Sequence, residues 1–538
     1  MLQNAKERKA DMKTSGALGT VLFFPVATLL VYTLFRNGAH FIAVEEPGYI
    51  WAWAAVTGLS CAAFSWARYP EAPRFSQTMG RASAVFLAVY FVSEPFDIPY
   101  AALSADHPAA VFHHAGRWIG LALAGAAWFR PAALVAAAML LWMMRDLHEA
   151  LTGFYFSNLD IRNVVEVLAF AGIGFALIGA AGQRDSLRRG FRLDDETATR
   201  AGLFILAIGV GGHFGNYFYS ALAKLMLDGG PLSWIFGNRL YDGVPGAVER
   251  GTLPFALSPA LTQFTYDAMK AVNLPLHLAS FAAQFAAVIA IFRRRWVMML
   301  TAVYDLFHII VYLSFGLLFW KWIALNTIFL ITLSRVSDRD WTRDAAIAAV
   351  ATVLFGAIFF KTATLAWYDA PGFMSVYFEA ETQDGERYRV PSSYFGTSSY
   401  QVSQGRLYAP SDDGHFDFSI WGSVLTAAQR DAGRACKVPT RDAPPPERYG
   451  PVDALARFVW AWHARALERA GDDGRFNDRL YLHHHMPSPF VVRPFDLIDK
   501  REITGYYYVA ESVCLSLEKG ALKRDVLKRT EIPLPRPE

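Results

Sequence analysis

The sequence predicts a polytopic α-helical membrane protein of about 9–11 transmembrane helices with a C-terminal β-rich or α+β extramembrane domain. Three observations predict it. Hydrophobic residues make up 54% of the 538 residues and charged residues only 18%, against about 25% charged in an ordinary soluble domain. The apolar residues concentrate before residue 370 in stretches of about 20, the length that crosses a bilayer core. Beyond that point the pattern changes to short alternating runs bounded by turn residues. A formal net charge of +3 lacks the basic excess of a nucleic-acid binder. Three cysteines are too few for a disulfide scaffold or an iron–sulfur protein.

Residues 1–16 read as a basic cytoplasmic tail with Lys6, Arg8, Lys9 and Lys13. The transmembrane domain is expected over 17–368. Its first span, 17–35, is followed by no small-residue cleavage site and reads as an uncleaved anchor. The further spans are 49–66, 82–104, 111–129, 131–151, 163–182, 201–227, 271–292, 296–319, 322–333 and 344–367, about 11 crossings in all. Segment 322–333 is short enough to be half of a hairpin or a re-entrant piece. Arg130-Pro131 marks a tight turn, because the residue before a proline disfavours helix. With the N-terminus inside, about 19 Lys and Arg fall on inner loops and about seven on outer ones, the bias of a multi-pass cell (inner) membrane protein. An odd number of spans then places 369–538 outside.

Within that outer domain, 375–408 reads as a hairpin turning at Asp384-Gly385 and further short strands carrying Tyr400, Val402 and Leu407. A Pro-rich linker follows at 439–451, then an amphipathic helix at 452–469 and a strand at 503–515. Cys436 and Cys514, if outside, lie where a disulfide can form.

Ionisable groups inside spans are expensive and mark function or a structural pair. Glu94 and Asp97 flank Pro95, and Pro99 follows, so the helix there is loosened and carbonyls are freed. Arg145, Asp146, His148 and Glu149 end the fifth span, Lys224 the seventh, and His277 begins the eighth. Asp305 and His308 share a helix face at i, i+3. These depths predict one polar cavity opening outward, lined by Glu94, Arg145 and His277 among others; the competing reading is structural pairing, as between Arg145 and Glu149. His483-His484-His485 has adjacent side chains that diverge and no second cluster at ligand spacing, so no metal site is predicted.

Two motifs carry a resemblance. Asn216-Tyr-Phe-Tyr-Ser-Ala-Leu-Ala-Lys-Leu225, followed by Trp234 and Tyr241-Asp242-Gly243, is similar to a segment of the vitamin K-dependent γ-carboxylase and its bacterial relatives, the horizontally transferred transmembrane family. Asp305-Leu-Phe-His308, running through Gly316, Phe319 and Trp322 to Phe329, resembles a second family helix. The likeness covers 201–333 best. It implies a lyase in which Lys224 is the base that deprotonates a reduced quinone and His308 is the active-site histidine. Oxygen then generates a base strong enough to remove a carbon-bound proton, and CO2 adds to the carbanion. The resemblance implies a lipid-soluble quinone and a peptide as reactants. Here Ala223 stands where the carboxylase has the first of two lysines, and no propeptide-recognition surface is evident in the tail. The alternative function is a non-catalytic membrane scaffold or partner subunit that binds another protein through its outer domain.

Overall fold

Backbone amides in hydrocarbon must be satisfied within their own segment, so the apolar stretches form helices. The computed structural model describes residues 2–537 apart from 94–98, 100, 155–158, 257, 418–421, 441–445, 477–483, 486 and 489–490. Side chains are described from residue 19 onward, except 159, 160 and 397. The chain opens with α1 (Leu2–Val44), α2 (Ile50–Ala63), α3 (Arg74–Ser93), α4 (Pro108–Ala127), α5 (Pro131–Thr152), α6 (Leu159–Gln183) and the short α7 (Asp185–Gly190). It continues through α8 (Asp195–Leu225), α9 (Ser233–Gly237), α10 (Gly243–Arg250), α11 (Pro259–Ala271), α12 (Asn273–Ala290), α13 (Arg294–Phe315), α14 (Trp320–Leu333) and α15 (Arg343–Phe355).

Five described helices are long and apolar enough to cross a membrane: Gly19–Val44 of α1, Ile161–Gln183 of α6, and α8, α12 and α13; α14 is a shorter apolar helix. This is a helical membrane protein with a β-containing C-terminal region. Helices α6 and α8 are buried almost throughout, whereas α1, α12 and α13 keep most of their surface on the outside of the bundle. Small residues set the central packing. A Cβ at Gly211 would collide with the Ala349 carbonyl of α15, and one at Gly212 would press on the Phe360 ring, so the glycines allow the close approach on which helix packing in lipid depends. Arg130 is extended and α5 starts at Pro131, which makes the tight turn between α4 and α5.

Several expected spans differ in extent. The segment expected at 49–66 is helical only over 14 residues of α2. The segment expected at 82–104 becomes α3, which starts eight residues earlier at Arg74 and ends at Ser93, with 94–98 outside the described residues. An extra helix, α11, precedes α12, and Ser258 caps it by accepting from the Leu261 N–H. The largest correction is at 344–367. Helix α15 stops at Phe355, and after one 3-10 turn and a bend at 359–360, residues 361–367 run as an irregular, non-helical strap across α6 and α8. Side chains of the neighbouring helices satisfy its backbone: Asn216 Oδ1 accepts from Ala363 N at 2.7 Å, Ser220 Oγ accepts from Leu365 N at 2.9 Å, and Glu166 accepts from Lys361 N. Non-helical backbone at membrane depth persists only with such partners.

The C-terminal region contains β1 (Tyr368–Asp369), β2 (Gly372–Thr382), β3 (Arg387–Val390), α16 (Ser399–Ser403), β4 (Tyr408–Ala409), β5 (Ser423–Val424), α17 (Ala427–Arg434), β6 (Arg448–Tyr449), α18 (Asp453–Arg469), α19 (Pro494–Leu497), β7 (Ile503–Glu518) and β8 (Ala521–Leu534). Four strands form an antiparallel sheet in the order β3-β2-β7-β8. The hairpin turns at Asp384-Gly385, where Gly385 takes the positive φ of +81° that the turn requires. Helix α18 lays Leu455, Phe458, Val459 and Trp462 into the core, with Phe458 against Phe378 and Phe395. The strand expected around Tyr400 and Val402 is instead the short helix α16, which buries Val402 together with Ser399, Gln401 and Ser403. Cys436 and Cys514 are joined in a disulfide, their Cα atoms 5.5 Å apart.

Candidate functional site

Helix α8 is set at its start by Asp194, which accepts from Thr197 N at 2.8 Å, and by Asp195 and Glu196 in the first turn, where carboxylates complement the helix dipole. It ends 31 residues later with Lys224 in its last turn. The amine donates to Gln284 Oε1 of α12 at 3.0 Å, to the Leu365 carbonyl of the strap at 2.9 Å and to the Ser220 carbonyl at 3.4 Å. It also lies 4.8 Å from the centroid of the Trp234 ring. Among the described residues no carboxylate stands within ion-pair distance of this amine. The residue is 6% exposed.

Lys224 lines a cavity of about 130 Å3 with Phe307, Val311, Phe315 and Phe319 on its apolar side and Gln284, Asn238 and Asp369 among its polar residues. That is smaller than the roughly 300–1,000 Å3 of a pocket that buries a drug-sized ligand, and suits a single ring whose substituents leave the cavity. The roof comes from the C-terminal region. Asp369 of β1 accepts from Asn238 Nδ2 at 2.8 Å and Trp367 Nε1 at 3.2 Å, while its own N–H donates to Asn238 Oδ1 at 2.7 Å. Burial pushes the Asp369 carboxyl up to about 7, against the downward pull of the Asn238 hydrogen bond. Asp242 is likewise raised by burial, to about 6, although Arg434 Nε lies 3.3 Å from it.

His308 stands beside this cavity and not on its lining. Its ring stacks on Phe319 with centroids 5.0 Å apart and lies near Trp322 and Tyr217, and its Nδ1 has no hydrogen-bond partner among the described residues. Phe319 therefore separates the histidine from the Lys224 chamber. Next to it runs a buried polar chain. His213 contacts Asn163 Oδ1 at 3.1 Å and Asn326 Oδ1 at 2.9 Å, and Asn326 Nδ2 donates to Asp305 Oδ1 at 2.8 Å. Tyr217 and Tyr304 stack over it at 3.6 Å.

The remaining expected lining residues are elsewhere. His277 packs edge-on behind Trp234 with centroids 4.5 Å apart. Asp305 is taken up by Asn326 and makes no bond to His308, although both are on α13. Arg145 and His148 belong to another buried cluster on α4 and α5, where the His113 and His148 rings are 5.3 Å apart; Arg145, His148 and His277 do not line the Lys224 cavity. A shared depth along different helices thus did not bring these groups to one chamber, because helix azimuth decides which neighbour each meets. Glu94 and Asp97 lie outside the described residues, as does His483. His484 packs on Phe319 and Tyr400, and His485 Nδ1 is 2.5 Å from Ser403 Oγ.

The chain matches no protein-family model, no curated protein and no solved structure. The site therefore stands on its geometry. Sequence reasoning missed Gln284, Asn238 and Asp369. Gln284 carried a weak signal as a lone amide in an apolar helix, whereas Asp369 looked like any loop acid and is placed by the strap.

Proposed function

We propose that this protein is a membrane enzyme in which Lys224 acts as general base, in a hydroquinone- and O2-driven carboxylase-like reaction at the outer leaflet. One observation carries the reading: a buried lysine at the wall of an apolar cavity, held by three neutral acceptors with no carboxylate at ion-pair distance among the described residues. A catalytic amine needs such surroundings, because an adjacent carboxylate would hold the ammonium form. The cavity fits the head of a reduced quinone, with aromatic walls for the ring and polar groups for its oxygens. A reduced quinone bound there would supply the reducing equivalents. The chain's own residues take the proton at Lys224 Nζ, orient that amine through Gln284 and Leu365, and exclude water with Phe307, Phe315 and Phe319. In this reading the topology has 9–11 crossings, a cytoplasmic N-terminus and the 369–538 region outside.

A second reading, a non-catalytic scaffold or partner subunit, is favoured by the same three acceptors, since they match the three protons of an ammonium and would suit a packing lysine. Purified protein given reduced quinone, O2, 13C-bicarbonate and a peptide as the carbon acid separates the two. Carbon incorporation is expected, reduced at least about 100-fold in Lys224→Arg, the usual worth of general-base catalysis, because guanidinium stays protonated. Turnover that survives in Lys224→Arg would remove the lysine from the mechanism. The topology is tested in a Cys61→Ser background: after reduction, a membrane-impermeant thiol reagent should label Cys436 and Cys514 in intact cells, and labelling only after lysis would overturn it.

A further inference from the structure

At the other end of α8 the chemistry is opposite. The first residues of α8 and Lys224 are separated by most of a 31-residue helix, roughly 40 Å at 1.5 Å per residue, which is close to the span between the two headgroup layers. A cleft of about 1150 Å3 opens there between the loop before α3, the α4–α5 turn, the end of α6 and the start of α8. Arg68, Arg81, Arg130 and Arg188 line it, and a smaller cavity sharing Arg81 adds Arg74 and Arg335. Among the described residues the acids on these walls are Glu71, Asp194 and Asp195, so six guanidinium groups face three carboxylates there. Asp194 is already engaged as the α8 cap.

None of the six arginines lies within ion-pair distance of a carboxylate among the described residues. Two are tied to backbone carbonyls, Arg130 to Trp66 and Arg188 to Leu193. Arg81 sits over the Trp128 ring at 5.5 Å, a cation–π contact that leaves its N–H donors for a ligand. The side chains of Arg68, Arg74 and Arg335 have no hydrogen bond of their own among the described residues. Beside these charges the wall is apolar and outward-facing: Phe129 is 65% exposed and Trp128 40%. Guanidinium donors with an adjoining aromatic ledge match a phosphate carrying acyl chains and match a soluble anion less well.

We propose that this cleft binds the phosphate headgroup of an anionic phospholipid, with its chains against Phe129 and Trp128. The assignment is independent of the Lys224 chemistry. Native mass spectrometry of the detergent-purified full chain, with added phosphatidylglycerol or phosphatidylcholine, tests it. Phosphatidylglycerol should be retained in preference, and Arg68→Gln/Arg81→Gln should lower its apparent affinity about 30-fold, as two basic contacts to a headgroup imply. Both side chains are exposed, so an unchanged gel-filtration profile is expected to confirm folding. Arg293→Gln/Arg295→Gln removes the same charge away from the cleft and should leave binding intact. Equal retention of the two lipids, or equal loss in the two double variants, would overturn the site. Displacement of phosphatidylglycerol by millimolar inorganic phosphate would overturn the lipid as its source in favour of a soluble phosphate ligand.

Discussion

Glu166 and Lys224 grip the two ends of the same strap, yet their surroundings differ in kind. Glu166, fully buried on α6, meets Arg36 at 3.2 Å and Arg162 at 3.1 Å and also accepts the Lys361 N–H. Its charge is compensated twice over, and every contact is one that a structural ion cluster would make. Lys224 has the same strap contact, through the Leu365 carbonyl, but among the described residues only neutral acceptors, and an open cavity beside it. Burial alone therefore does not mark a site in this protein. What separates the two groups is whether the fold has supplied the opposite charge, and only for Lys224 is there space at the group instead.

If that contrast holds, removing Glu166 should damage the fold and removing Lys224 should not. Glu166→Gln leaves two half-buried guanidinium groups without their counter-charge, and should cost about 3 kcal/mol, the lower end for a broken buried pair, visible as a large fall in the thermal midpoint of the detergent-solubilised protein. A midpoint within a degree or two of the parent would show the cluster to be solvated. Next in size, Lys224→Met should abolish turnover, at least about 100-fold or near 2.7 kcal/mol of barrier, while the midpoint stays level or rises, because a buried amine that no counter-charge compensates has been removed. A midpoint drop as deep as that of Glu166→Gln would make Lys224 structural.

A smaller effect tests the strap itself. Ser220→Ala takes away the acceptor of the Leu365 N–H and should cost about 1–3 kcal/mol, the desolvation penalty of an unsatisfied buried donor. It should also reduce turnover, since Leu365 positions the Lys224 amine; a stable variant with normal activity would detach the strap from the site. The smallest effect concerns pH. Burial raises the folded Asp369 carboxyl from 3.8 to about 7, so between those values the native state binds more protons than the unfolded chain. Its contribution is complete below about pH 4 and is lost as pH rises toward 7. Asp242, raised to about 6, acts in the same direction. Asp369→Asn should flatten the decline of the thermal midpoint across this window, most of all near pH 5–6, midway between the two values, and an unchanged slope would place the titration elsewhere.

Apolar run length and Lys/Arg placement are properties of the chain itself, and they carried the membrane class, the position of most long helices and the change of texture near residue 370. Local chemistry was equally legible: the Arg130-Pro131 turn, the Asp384-Gly385 hairpin and the buried face of α18 all follow from a few adjacent residues. Residues 359–367 show where that legibility stops. They are apolar enough to continue a helix, and become a bend and a strap because Asn216, Ser220 and Glu166, on two other helices, offer their backbone an alternative set of partners. The candidate site follows the same division. Lys224 was identifiable as an isolated charge in an apolar segment, but its acceptors come from α12 and the strap, and Asp369 arrives from the first strand of the C-terminal region. Sequence spacing gave depth along each helix; rotation about the helix axis, which sent Arg145 and His148 to one cluster and Lys224 to another, was decided only when the helices packed.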